Sequence, residues 1–208
     1  GSTVRQAVYV SGSGSSALLF HYTVQAGDSD NYGIAVGALA ANGGTLRDGA
    51  GNNANLALNS VGVTTGILVD AVAPTVTNVT SSLVNSTYNV GDIISIQVIF
   101  SEAVTVTGTP QLTLETGTTD RTIDYASGSG TNTLNFTYTI VDGNVSADLD
   151  YVGTTALALN GGTIRDGADN NATLTLATPG NAGSLGANKA LVIDGIVPTV
   201  TNVTSSLT

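Results

Sequence analysis

Carboxylates set beside glycine and asparagine are the residues of this chain best equipped for chemistry. Asp48 with Asn52 in RDGAGNN, and Asp166 with Asp169 and Asn170 in RDGADNN, place short-armed oxygen donors in two matching turns. Asp70 and Asp194 each stand just before a short stretch that ends in proline, AVAP or GIVP, whose ring restrains the chain beyond it. Glu102, in FSEAV, which reads as the loop after a strand, is one of two glutamates against thirteen aspartates. Oxygen donors on short arms suit hard cations. Calcium, which takes about six to eight oxygens, is the ligand to expect, with backbone carbonyls, Asn side chains and water completing its shell.

These acids are held by a sequence that repeats itself. PTVTNVTSSL runs from Pro74 to Leu83 and again from Pro198 to Leu207, SGSG at 11–14 matches SGSG at 127–130, Arg5 matches Arg121, and NGGTLRDGAGNNANL matches NGGTIRDGADNNATL. A period of about 120 residues exceeds the roughly 20 to 50 of a solenoid turn and suits a bead that folds on its own. The chain therefore reads as a slice of a tandem array. Residues 1–72 correspond to the last two thirds of a unit, 73–194 to a complete one, and 195–208 to the first strand of a third. The strands missing from the first unit belong either to a longer polypeptide or to another chain that donates them.

Alternation of apolar and polar residues gives the fold class. In DIISIQVIF, Ile94, Ile96, Val98 and Phe100 share one face; in TLNFTYTI, Leu134, Phe136, Tyr138 and Ile140 do the same. QLTLE, ATLTL at Ala172–Leu176 and ALVID at Ala190–Asp194 follow the pattern, and helical periodicity is absent. Strands of five to ten residues separated by Gly, Asn, Asp and Ser predict an all-β, antiparallel sandwich. Cysteine is absent, which removes disulfides, thiol catalysis and Cys-ligated zinc. A net charge of −10 argues against a nucleic-acid surface, and no apolar run is long enough to insert in a membrane.

The ordered set APTVTNVTSS, VGDIISIQVIFSEAVTVTGTPQLTLETG, YASGSGTNTLNFTYTI, ALALNGGTIRDGADNNATLTL and LGANKALVIDG resembles the immunoglobulin-like repeats of very large bacterial surface and secreted proteins. That resemblance implies a non-catalytic β-sandwich strung many times, outside the cell or on its surface, often stiffened by calcium between domains. Its partners would be neighbouring repeats of the same chain and, in a fibre, other copies of itself. The expected junction brings Asp48, Asp70 and Glu102 together, with Asp166 and Asp194 forming the matching half-site for a third unit. A second cation near Asp28 and Asp30, or near Asp148 and Asp150, is the weaker alternative. Rival functions are a module that grips carbohydrate, ice or a host protein, an accessory repeat of a secreted hydrolase, and a subunit polymerising by strand donation.

Other motifs carry less. DSDNYG at 28–33 opens like an EF-hand loop but lacks the distal Glu and the flanking helices. The one histidine, His21, aligns with Thr137 on an outward position, so acid–base chemistry and an enzyme are not expected. SGSG segments read as hairpin turns, Tyr9, Tyr32, Tyr125 and Tyr151 as packing residues, and the six N-x-S/T sequons as mostly bare.

Overall fold

The computed structural model describes residues 3–206. The chain divides into two units, one ending at Val72 and the other beginning at Ala73. Unit 1 contains β1 (Val8–Ser11), β2 (Leu19–His21), β3 (Ser29–Asp30) and β4 (Val69–Asp70), with β1 antiparallel to β2 and β3 antiparallel to β4. Unit 2 contains β5 (Val76–Ser81), β6 (Ser86–Asn89), β7 (Ile93–Thr107), β8 (Gln111–Glu115), β9 (Arg121–Ser127), β10 (Thr131–Thr139), β11 (Val145–Ser146), β12 (Asp150–Tyr151), β13 (Leu157–Ala158) and β14 (Thr163–Arg165). A single helical turn, α1 (Leu185–Asn188), and β15 (Leu191–Asp194) complete it.

In unit 2 the larger sheet runs β12-β8-β9-β10-β7-β14, with β5 also on β7 and β13 on β8; the smaller runs β11-β15-β6. Pairing is antiparallel except for β15 with β6. The alternating faces fold inward as the sequence dictates. Ile94, Ile96, Val98 and Phe100 of β7 are buried with Leu112 and Leu114 of β8, Leu134, Phe136 and Tyr138 of β10, and Leu191 and Ile193 of β15. This is an all-β fold of the sandwich type, and each fully buried aliphatic or aromatic side chain contributes roughly 1.5–3 kcal/mol.

The SGSG segment between β9 and β10 is a tight hairpin, as expected. Gly128 adopts φ 109°, and a Cβ there would collide with the Thr133 carbonyl, so only glycine fits. The Tyr125 hydroxyl accepts the Ser129 amide at 2.8 Å while its ring meets Phe136 edge to face at 6.1 Å. In unit 1 Tyr9 does the same with Ser13, at 2.9 Å, and with Phe20, at 5.9 Å. Tyr151 is buried in the core, whereas Tyr32 is exposed and packs against nothing comparable.

Four local expectations need correction. FSEAV is strand, not loop: β7 continues to Thr107 because its far half gains a new partner, β14, opposite Thr105–Thr107. ATLTL forms no ladder, since Ala172 N–H goes to Ile164 O, Thr173 N–H to Pro74 O and Leu176 N–H to Thr154 O, three different neighbours. A helix appears after all, but only one turn capped by Ser184, too short to leave a period. Residues 195–206 form no strand, although 200–205 repeat the sequence of β5. In β5 that sequence is held by β7, from Val76 opposite Phe100 to Ser81 opposite Ile96; the second copy has no such ladder. Leu207 and Thr208, the last residues of that expected strand, lie outside the described residues.

Candidate functional site

Glu102 and Asp166 are brought together by the change of partner along β7. One edge of β7 pairs with β5 as far as Phe100 and with β14 from Thr105. Glu102 lies in the handover, half-buried, with buried Phe100 and Val104 on either side and exposed Ser101 and Ala103 between. It therefore shares the inward-facing phase of the strand, where the core gives out. Asp166 follows directly on β14 and is buried. Their carboxylate oxygens lie within 4.8 Å of one another. Two carboxylates at this separation repel, and a cation between them relieves that repulsion.

The turn around Asp166 is built by the carboxylate itself. Its Oδ1 accepts the amides of Ala168 and Asn170, both at 2.8 Å, and its Oδ2 accepts Asn170 Nδ2 at 2.7 Å. Asp48 repeats the arrangement in unit 1 with Ala50 N, Asn52 N and Asn52 Nδ2, each at 2.9 Å, and these bonds hold its carboxyl below the usual range, the Asn52 side chain contributing most. Asn52 and Asn170 thus serve as donors to an aspartate. Neither Arg47 nor Arg165 pairs with the adjacent acid: each directs its Nε to an asparagine, Asn53 at 3.0 Å and Asn171 at 2.9 Å. Asp169 sits exposed at φ 68°, where unit 1 has Gly51 at φ 90°, which marks it as a turn position.

Asp194 is placed elsewhere in unit 2. It closes β15 opposite Val145 and Asn89, just before the start of β7, whereas Asp166 and Glu102 lie far along that strand. The expected half-site of Asp166 with Asp194 is therefore not formed within unit 2. Asp194 Oδ1 accepts the Ile196 amide at 3.2 Å, and Asp70, at the end of β4, accepts the Val72 amide at 3.1 Å. Both acids shape the turn by which the chain leaves its unit.

A node that the sequence reading missed lies at the same departing end. In unit 2 the Oδ1 of buried Asn144 accepts the Tyr138 hydroxyl at 2.9 Å, the Val141 amide at 3.2 Å and Arg121 Nε at 3.4 Å. In unit 1 Asp28 takes the place of Asn144, receiving the Tyr22 hydroxyl, the Gln25 amide at 2.8 Å and Arg5 Nε at 2.8 Å, with Arg5 Nη2 at 2.7 Å. Asp28 is the only buried residue among the described residues of unit 1. It is engaged by its own unit's tyrosine and arginine, not by an EF-hand-like loop. The aligned Arg, Tyr and Asp or Asn of the two repeats were the signal, since Asp and Asn share a carbonyl-type oxygen acceptor.

Only in unit 1 does the node carry a carboxyl. Hydrogen bonds from Tyr22 and the Gln25 amide, then from Arg5, depress the Asp28 carboxyl below its ordinary value. A depressed folded pKa gives stability that is present above the unfolded value, about 3.9, and is lost as pH falls through the folded one. Acid should therefore open the β1–β2 region of unit 1, followed by NMR of its amides, while Asp28→Asn, which copies unit 2, should remove that acid transition.

Asp148 and Asp150 are also neighbours, and burial first, then the charge of Asp150, raises the Asp148 carboxyl. Asp150 accepts the amides of Tyr151 and Gly180, both at 3.0 Å, and so braces the segment before α1. His21 is exposed on β2, as its alignment with Thr137 implied. Asn144 is the one sequon residue whose side chain is fully committed inside the fold, a position closed to glycosylation. No protein-family model matches the chain, and neither curated proteins nor solved structures provide a match.

Proposed function

We propose that the chain is a non-catalytic spacer: consecutive immunoglobulin-like repeats of a bacterial extracellular adhesin or filament, with calcium limiting the bending between repeats. The observation that carries this reading is the shared departure geometry. In unit 1 Gly27 N–H meets Ala71 O at 2.7 Å and Ala71 N–H meets Asp28 O at 2.8 Å; in unit 2 Gly143 N–H meets Gly195 O at 3.0 Å and Gly195 N–H meets Asn144 O at 2.7 Å. Each repeat thus fixes the residue after its last strand against the same buried node, which suits a part whose task is to pass on direction. A reactive pocket needs no such identity between copies.

In this reading calcium joins the departing acid of one repeat to the Glu102–Asp166 pair of the next, so that Asp70 serves one junction and Asp194 repeats the role. Asp48, aligned with Asp166, belongs to the leading end of unit 1 and not to the junction that Asp70 serves. A joint of this kind restrains domains and leaves the cores to their own packing; extracellular calcium modules bind at about 10⁻⁴ to 10⁻³ M. Small-angle scattering should show a longer maximum dimension in millimolar calcium than in chelator, and Glu102→Gln should abolish the difference. An unchanged dimension in the parent chain would refute the stiffening role.

A further inference from the structure

The two repeats agree on the inner face of the hairpin that carries SGSG and differ on its outer face. Tyr9 and Phe20 match Tyr125 and Phe136, and in both hairpins the two rings meet edge to face. Successive residues of a strand point to opposite faces, so Val8 and Val10 flank Tyr9 on the outer face of β1, and Leu19 and His21 flank Phe20 on that of β2. Val8 stands opposite His21, and the register shift after Tyr9 leaves Val10 and Ser11 together facing Leu19. The matching residues of unit 2 are Asp124, Ala126, Asn135 and Thr137. Two valines, a leucine and a histidine thus stand where unit 2 has an acid, an alanine, an amide and a hydroxyl.

This face is open for a reason other than a missing neighbour in the sheet. In unit 2, where β10 lies between β9 and β7, Asp124, Ala126 and Thr137 are still exposed and Asn135 is half-buried. Outward positions of the complete repeat therefore face solvent, and Val8, Val10 and Leu19, which are 68%, 49% and 49% exposed, stand on a surface that unit 2 keeps polar. Contiguous aliphatic side chains in such a place mark a contact surface, as scattered single ones do not. Charge narrows what can meet it. The first 27 residues hold no Asp or Glu, whereas the matching stretch, 117–143, holds Asp120, Asp124 and Asp142. Two copies of a chain of net charge −10 repel, and they meet at least cost where neither brings a carboxylate to be desolvated.

We infer that the outer face of the β1–β2 hairpin is a self-association surface, on which a second copy of the chain lays the same hairpin so that Val8, Val10 and Leu19 of each are shielded from water. A twofold arrangement lets one aliphatic patch serve as its own complement. Three aliphatic residues a side fall short of the roughly 1,200 Å² that a stable interface buries, so the contact is weak, in the range of about 0.1–1 mM. Unit 2 lacks the face. The contact is thus lateral, confined to repeats of the unit 1 pattern, and goes beyond the spacer reading, since it needs neither a cation nor a junction.

Sedimentation equilibrium of the full chain over about 0.05–1 mM should show the parent moving from monomer toward dimer, equally in millimolar calcium and in chelator. Val8→Asp with Leu19→Asn, which copies unit 2, should weaken the association at least about tenfold, and Leu19→Asn alone serves the comparison if the double variant unfolds the hairpin. The chain has no cysteine, so Val10→Cys reports on the face directly: in oxidant it should form a disulfide-linked dimer at least about tenfold faster than Ala126→Cys, the matching position in unit 2. The inference is overturned if the parent stays a monomer at about 1 mM, if it associates only in calcium, if the variants associate as tightly as the parent, or if Ala126→Cys links as fast as Val10→Cys.

Discussion

Replacing Asn144 by Ala should cost unit 2 about 3–5 kcal/mol, because three donors lose one shared acceptor in a buried place. The Tyr138 hydroxyl is buried with Asn144, and the Val141 amide and Arg121 Nε converge on the same oxygen. Each buried donor left unpaired costs roughly 1–3 kcal/mol, more for a charged one, and the cavity adds to that. Arg121 lies near enough to solvent to recover part of its loss by hydration; the other two donors have less recourse. Denaturant unfolding of the full chain should show the unit 2 transition moved to lower concentration with little change of slope. Asn144→Asp should behave differently. It supplies the same oxygens to Arg121 and Tyr138, as Asp28 does in unit 1, so its cost at neutral pH should be small and should grow only in acid. A large loss at neutral pH in Asn144→Asp would show that the node needs the amide's own N–H groups, contrary to the geometry in unit 1.

The contrast between the node and the core shows what could be read from residue order. Ile94, Ile96, Val98 and Phe100, and Leu134, Phe136 and Tyr138, announce themselves by alternation, since a strand with one buried face has no other way to be written. The SGSG turns were legible too, because positive φ at a hairpin needs glycine. Where strands are two or three residues long, as in β11 to β14, alternation has no room to appear, and pairing is decided by what lies alongside. The far half of β7 shows this most clearly. FSEAV carries an acid after an apolar run and looks like a strand end, yet β14 arrives at Thr105 and extends the ladder. Glu102 meets Asp166 only because of that arrival, so their proximity was not available from spacing. Asp194 and Asp166, both acidic and both near the end of a repeat in sequence, fall at different places on the sheets for the same reason. The identical segments 76–81 and 200–205 make the point without any difference of sequence: one is strand, the other is not.

Phe136→Ala and Phe20→Ala form a matched pair that measures how much of each repeat's stability comes from its neighbours. Phe136 is fully buried on β10, opposite Ile96 and edge to face with Tyr125, and its truncation should cost about 3–5 kcal/mol. Phe20 of β2 keeps the edge-to-face contact with Tyr9 but is only half-buried, with no β7-like strand beside it among the described residues, so its truncation should cost about 1 kcal/mol. The two losses can be separated by following amides of β10 and β2 in one sample, since the two units are compact on their own terms. Equal costs in the parent chain would mean that Phe20 is enclosed more fully than its half-buried position indicates, and the contrast between the two rings would fall with that result.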